Sequence, residues 1–92
     1  MITIGMNYDV IPGKENIFEN AFEGVANALS KAAGHEFSNL YRDCKELSKY
    51  IIISQWEDQS AYQAFITSEA FRKVTNWGAS EILSGRPKHQ VY

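Results

Sequence analysis

The stretch that leaves this chain least freedom is YIIISQWEDQSAYQAFITSEAF, residues 50–71. It opens with three consecutive β-branched residues, Ile51, Ile52 and Ile53, preceded by Tyr50, in a run that ends in Trp56. Successive strand side chains point to opposite faces, so a run that is apolar at nearly every position predicts a strand covered on both sides. The chain then changes character. Glu57, Asp58, Gln59 and Ser60 are polar, and Asp58 suits the N-cap of a helix. Beyond it Ala61, Tyr62, Phe65 and Ile66, then Ala70, Phe71 and Val74, recur at near-helical spacing. A central strand feeding an amphipathic helix is the hinge of the chain, and the rest reads as what covers its two faces.

Residues 2–10 alternate, with Ile2, Ile4, Met6, Tyr8 and Val10 on one face and Thr3, Gly5, Asn7 and Asp9 on the other. Pro12-Gly13 ends that strand. From Lys14 to about Ala33, Ile17, Phe18, Ala21, Phe22, Val25, Ala28 and Leu29 form one wide apolar stripe of a helix. Glu15, Glu19 and Glu23 lie in its first half and Lys31 near its end, as the helix dipole favours. Gly34 is placed as the residue that stops it. His35 to Asp43 predicts a second strand, with Phe37, Asn39 and Tyr41 on one side and Ser38, Leu40 and Arg42 on the other. The polar turn from Cys44 to Ser48 is short enough to make a hairpin with the strand at 49–57. Ser68 reads as a second N-cap that breaks the following helix, Trp77-Gly78 as an interruption, and Ala79 to Leu83 as a last turn ended by Gly85. Arg86 to Tyr92, with Pro87 at its start, predicts a closing edge strand.

The order β-α-β-β-α-β predicts an α+β, ferredoxin-like fold with a four-stranded antiparallel sheet and helices on one face. At 92 residues the chain reads as one domain, 1–92. A domain of this size buries only about 60–65% of its extended surface. With 45% hydrophobic and 13% aromatic residues it has material for a core and for an interface. A third strand that is apolar on both sides leaves one sheet face in need of a cover. The economical cover is a second copy, so a homodimer with sheet packed on sheet is expected.

A formal charge of −2 and scattered Lys and Arg argue against a nucleic-acid or anionic-membrane binder. One cysteine, Cys44, forms no internal disulfide and suggests a reducing compartment. The N-terminal residues alternate and contain no long apolar run, so a soluble cytoplasmic protein is expected. No nucleotide-binding glycine motif, His-Glu-x-x-His or paired cysteines occur, and the sequence offers no metal site.

The segments GHEFSNLYRD, YIIISQWEDQSAYQAFITSEAFRKV and GRPKHQVY resemble the antibiotic biosynthesis monooxygenase family of the dimeric α+β barrel superfamily. The pieces that carry the resemblance are Leu40-Tyr41-Arg42-Asp43, Gln55-Trp56-Glu57 and the spacing from Phe65 through Ser68 to Phe71. The resemblance implies pairing into a shared barrel, with a pocket in each subunit between sheet and helices. It also implies oxidation of phenolic or quinone-forming aromatics without metal or flavin, or, in another branch, opening of the haem ring. The haem-degrading branch uses an Asn on the first strand, a Trp on the helix after strand three and an axial His further on. Asn7 matches the first, Phe65 stands at the second without an indole N–H, and Thr75, which cannot ligate iron as imidazole does, stands near the third.

On this footing the expected function is a cofactor-independent monooxygenase acting on a small aromatic or polyketide-like substrate, with no cofactor. The alternatives are a haem-binding or haem-degrading monooxygenase and a non-catalytic dimeric protein that binds a small hydrophobe. Asn7 is the catalytic candidate, because amide donors stabilise a developing oxyanion. Phe65, Phe71, Trp77 and Thr75 are assigned to substrate binding. His35 and His89 are the candidate acids or bases, since imidazole titrates near neutrality. The neighbours Glu57 and Asp58 are explained by helix capping, and Arg42 with Asp43 by a surface or interface pair.

Overall fold

A computed structural model of the chain describes residues 1–75, 82–85 and 87–92, without the side chains of Val74 and Thr75. The elements in order are β1 (Ile2–Asp9), α1 (Glu15–Ser30), β2 (His35–Arg42), β3 (Lys49–Trp56), α2 (Gln59–Ile66), α3 (Glu69–Thr75) and β4 (Lys88–Val91). The four strands form one sheet in the order β2-β3-β1-β4, every neighbouring pair antiparallel. This is the ferredoxin-like arrangement expected from the β-α-β-β-α-β pattern, with its second helix divided in two.

Register sorts the side chains. On β3, Tyr50, Ile52, Ser54 and Trp56 are buried and Ile51, Ile53 and Gln55 only partly so. Pairing of Met6 with Ile52, and of Ile4 with Ser54, puts the apolar side of β1 on the same face. That face meets the helices through Phe18, Val25 and Leu29 of α1 and Tyr62 and Phe65 of α2. The opposite face carries Asn7 beside Ile51, Ile51 beside Tyr41, Gly5 beside Ile53 and Phe37 beside Gln55. Phe37 and Tyr41 are 43% and 51% exposed, so this second face is aromatic, aliphatic and open in the single chain.

The helix starts follow the expected chemistry. The Asp58 carboxylate accepts from the Ala61 N–H at 2.9 Å and from the Ser60 hydroxyl at 2.6 Å. Ser68 ends α2 by donating to the Phe65 carbonyl at 2.6 Å and opens α3 by accepting from the Phe71 N–H at 3.1 Å. Two expectations need correction. Helix α1 ends at Ser30 rather than near Ala33, because Lys31 and Ala32 close tighter turns onto Ala28 and Leu29. Ile17 lies outside the buried stripe and is 48% exposed. Gly34, at φ +81°, makes the turn into β2, and its carbonyl accepts from the Glu57 N–H at 2.7 Å.

Candidate functional site

The site is built where the end of α1 and the turn after it meet α2 and the start of α3. A cavity of about 260 Å³ lies there, lined by Ala28 and Ala32 from the α1 side, Ala61, Ala64 and Phe65 of α2, and Ser68. Its walls are mostly methyl groups, and Lys31 is the charged side chain among its described lining residues. Small side chains line it from both sides, which leaves room that larger residues would fill. The volume is just under the range of about 300–1,000 Å³ usual for small-molecule pockets and suits a compact, flat molecule.

Phe65 joins this cavity to an aromatic cluster. Its ring is 5.5 Å from Trp56 and 5.2 Å from Phe71, edge-on to the latter. Trp56 in turn meets Tyr62 at 6.0 Å and His35 at 5.0 Å, both edge-on. His35 reaches this place through an irregularity of register. It pairs with Trp56 while Phe37 pairs with Gln55, so Glu36 is the extra residue of a bulge. The bulge turns His35 to the helix side although Phe37, two residues on, faces the open side.

Polar groups in the cluster are joined in two short chains. The His35 Nε2 is 2.7 Å from the Ser38 hydroxyl, and Ser38 is 2.7 Å from the hydroxyl of Ser54, a buried residue. On the β4 side, the Tyr62 hydroxyl is hydrogen-bonded to His89 Nδ1. Burial lowers the pKa of both histidines, for His35 against opposing contributions from the Phe37 backbone and the Glu36 carboxylate. Burial raises that of Tyr62. At neutral pH the site therefore holds neutral imidazoles able to accept a proton, beside a phenol that keeps its own. The indole N–H of Trp56 is buried and has no hydrogen-bond partner among the described residues.

The structure brings together Phe65, Phe71, His35 and His89 within this one region, the first three through Trp56 and Phe65 and the last through Tyr62. It does not bring Asn7 to them. Period-2 alternation sends Ile4, Met6 and Tyr8 to the helices, so Asn7 faces the open side of the sheet and cannot be the polar anchor of the helix-side cavity. It lines a different recess, of about 230 Å³, with Tyr41, Arg42, Lys49 and Ile51, and its amide donates to the Lys88 carbonyl at 3.4 Å. Trp77 and the side chain of Thr75 lie outside the described residues. Sequence reasoning missed Trp56, Tyr62, Ser38 and Ser54. One signal was available: Ser54 is a polar residue in phase with Tyr50, Ile52 and Trp56, and a hydroxyl on a buried face needs a partner.

Residues 1–77 match the model of the antibiotic biosynthesis monooxygenase family. The chain belongs to that family. Among curated relatives, a candidate heme-binding protein of Natronomonas pharaonis is 36% identical over 87 residues, covering 95% of this chain and 14% of its own length. A second, from Haloarcula marismortui, is 32% identical over 87 residues, again covering 95% of this chain and 13% of its own length. The chain thus spans less than a fifth of the curated relatives it matches. Among solved structures, a candidate antibiotic biosynthesis monooxygenase of Bordetella bronchiseptica superposes with a TM-score of 0.90 at 21% identity, covering 99% of this chain and 93% of that one. The cofactor-independent oxygenase SnoaB of Streptomyces nogalater, solved as a mutant, gives 0.84 at 18% identity, covering 99% and 89%. At these identities the superpositions speak for the family's fold alone.

Among the described residues, no helix is long and apolar enough to cross a membrane. No cluster of three or more His, Cys, Asp or Glu among them is placed to hold a metal ion.

Proposed function

We propose that this domain binds a small oxygenated aromatic molecule in the recess between the end of α1 and helices α2 and α3, and oxidises it with dioxygen, as a cofactor-independent monooxygenase. The observation that carries the reading is the apolar cavity beside Phe65, whose ring also packs on Trp56, the residue that meets half-buried His35; His89, exposed on β4, reaches the same region through Tyr62. In such chemistry the substrate supplies the electrons. Proton removal by a neutral imidazole, His35 or His89, leaves a substrate anion that reduces dioxygen. At a ring methylene, one oxygen atom ends as a carbonyl and the other leaves as water (R2CH2 + O2 → R2CO + H2O). Phe65 and Phe71 would form the flat wall against which the ring lies.

The same reading pairs two copies through the open sheet face. Exposed Phe37 and Tyr41 and half-covered Ile51 and Ile53 form an apolar surface of the kind that second copies cover. Asn7 then belongs to the recess at that interface, where its amide would meet whatever enters the paired sheets. Oxygen uptake with hydroxylated anthrones and naphthols is the test. Turnover that survives in Asn7→Ala but falls in His35→Ala or His89→Ala places the chemistry on the helix side. Turnover that depends on Asn7 alone would move it to the interface, and no uptake with any of them would retire the oxygenase reading. Sedimentation should show a dimer at micromolar concentration and a monomer for Ile53→Glu.

A second reading is favoured by the relatives described as candidate heme-binding proteins. The described residues lining the cavity fit haem poorly, since none is a His, Cys or Tyr able to ligate iron. Hemin titration followed by absorbance decides it: a saturable Soret shift at one haem per chain would replace the first reading.

A further inference from the structure

We infer that the indole N–H of Trp56 is the hydrogen-bond donor that recognises an acceptor oxygen, a quinone carbonyl or phenolate, on the aromatic ligand. The inference rests on the proposed aromatic ligand of the helix-side cavity and names the group that reads its oxygen. Trp56 is 1% exposed, and its Nε1 is the buried side-chain nitrogen or oxygen, among the described residues, that no protein group satisfies. Buried donors are nearly always paired, because an unmade bond forfeits the full cost of removing the group from water. A native structure that leaves one unpaired invites a partner from outside the chain.

The neighbouring polar groups are already engaged. The His35 ring meets Trp56 edge-on, but its Nε2 is held by Ser38. The Tyr62 hydroxyl is held by His89. Ser54, next inward on the same strand face, shares a hydrogen bond with Ser38. Each chain closes on itself and leaves the indole out. Trp56 is not among the described residues lining the cavity; Phe65 touches both, its ring tilted 39° to Trp56 at 5.5 Å and its side chain in the cavity wall. Access of a ligand in the cavity to the N–H then requires a turn of the Phe65 side chain. A flat ring entering there replaces the Phe65–Trp56 contact with its own and brings its oxygen to the unpaired donor. An acceptor is required, because indole nitrogen donates only. A hydrocarbon of the same shape would pack but leave the N–H unpaired.

The test compares 1,4-naphthoquinone with naphthalene as probes of the full chain, by calorimetry and by the indole resonances of 15N-tryptophan-labelled protein. Trp77→Phe assigns the two signals. One additional hydrogen bond should make naphthoquinone bind about five- to tenfold more tightly than naphthalene. The Trp56 N–H resonance should move downfield with the quinone and not with the hydrocarbon. Trp56→Phe should erase the preference while leaving naphthalene affinity within about twofold, since the ring wall persists. The resonance experiment stands on the unaltered residue if that variant does not fold. Binding of both probes with equal affinity and an unmoved Trp56 signal would overturn the inference and leave the cavity reading intact. Binding of neither probe would overturn both.

Discussion

Replacing Gly34 by alanine tests whether the approach of the turn between α1 and β2 to α2 is as close as the fold requires. Gly34 has φ +81°, where an L side chain crowds the following carbonyl, at a cost of about 1–2 kcal/mol. Its new Cβ would sit 2.6 Å from the Ala61 Cβ and 3.6 Å from that of Glu57. Carbon atoms prefer about 3.5–4.0 Å, so the first contact must be relieved by nearly an ångström. Ala61 cannot rotate away, because its Cβ is fixed by the α2 backbone. Gly34 cannot retreat without stretching the 2.7 Å bond between its carbonyl and the Glu57 N–H. Overpacking of this kind costs about 1–3 kcal/mol, for a total of about 2–5 kcal/mol. A domain of this size loses about 4–8 °C of Tm per kcal/mol, so a fall of at least about 8 °C is expected. Thermal and urea unfolding followed by circular dichroism at fixed concentration measure it. Ala61→Gly alone costs about 1 kcal/mol as a helix glycine, but combined with Gly34→Ala it removes the clash. The double variant should then be about 1–3 kcal/mol more stable than the sum of the singles predicts. A loss below about 1 kcal/mol for Gly34→Ala, or strict additivity in the pair, would refute the reasoning.

Other expectations can be measured in the same way. Gly5→Ala should be far milder, under about 1 kcal/mol, because its closest clash is with the ring of Tyr92, an exposed C-terminal side chain that can swing aside. Ser68→Ala removes the hydroxyl that ends α2 and caps α3, and should cost about 1 kcal/mol in urea midpoint terms while loosening the Phe71 side of the cavity. His35 and His89 both have pKa values lowered by burial from the ordinary 6.5, so the unfolded chain takes up protons first as pH falls. The stability tied to the neutral rings is present above pH 6.5 and declines as pH drops through the folded values. His89→Phe should flatten that decline, and NMR titration should place both midpoints below 6.5. Asp58 and Asp43 have pKa values lowered by the N–H and hydroxyl groups they accept from, so they add a separate acid loss below the ordinary carboxylate value of 3.8.

Much of the fold was legible because each local signal agreed with its neighbours. Ile51 to Ile53 is apolar on both faces, and the strand it forms is central and covered by helices on one side. Asp58 and Ser68 announced helix starts, and both side chains accept the N–H bonds that caps exist to accept. The C-terminal boundary of α1 was less legible. Ala32 and Ala33 are good helix formers, and only the tertiary need to turn through Gly34 beneath Ala61 ends the helix at Ser30.

The candidate site was legible in part for a different reason. A sequence shows which residues share a face of one element but not which elements meet. Phe65 and Phe71 could be assigned to an apolar wall from helical spacing alone. Alternation could place Asn7 opposite Met6, yet the face that the helices would choose was decided by packing. They chose the Ile4, Met6 and Tyr8 side, which separates Asn7 from Phe65 by the thickness of the sheet. His35 is subtler still. Counting by twos from Phe37 puts it on the open face, and a single extra residue in β2 reverses it toward Trp56. The sequence by itself therefore determined the elements, their order and the apolar faces, because propensity, capping and periodicity act within a few residues. Tertiary structure alone decided which face was covered, where His35 points and that the Trp56 N–H finds no partner among the described residues, because those depend on contacts between residues far apart in the chain.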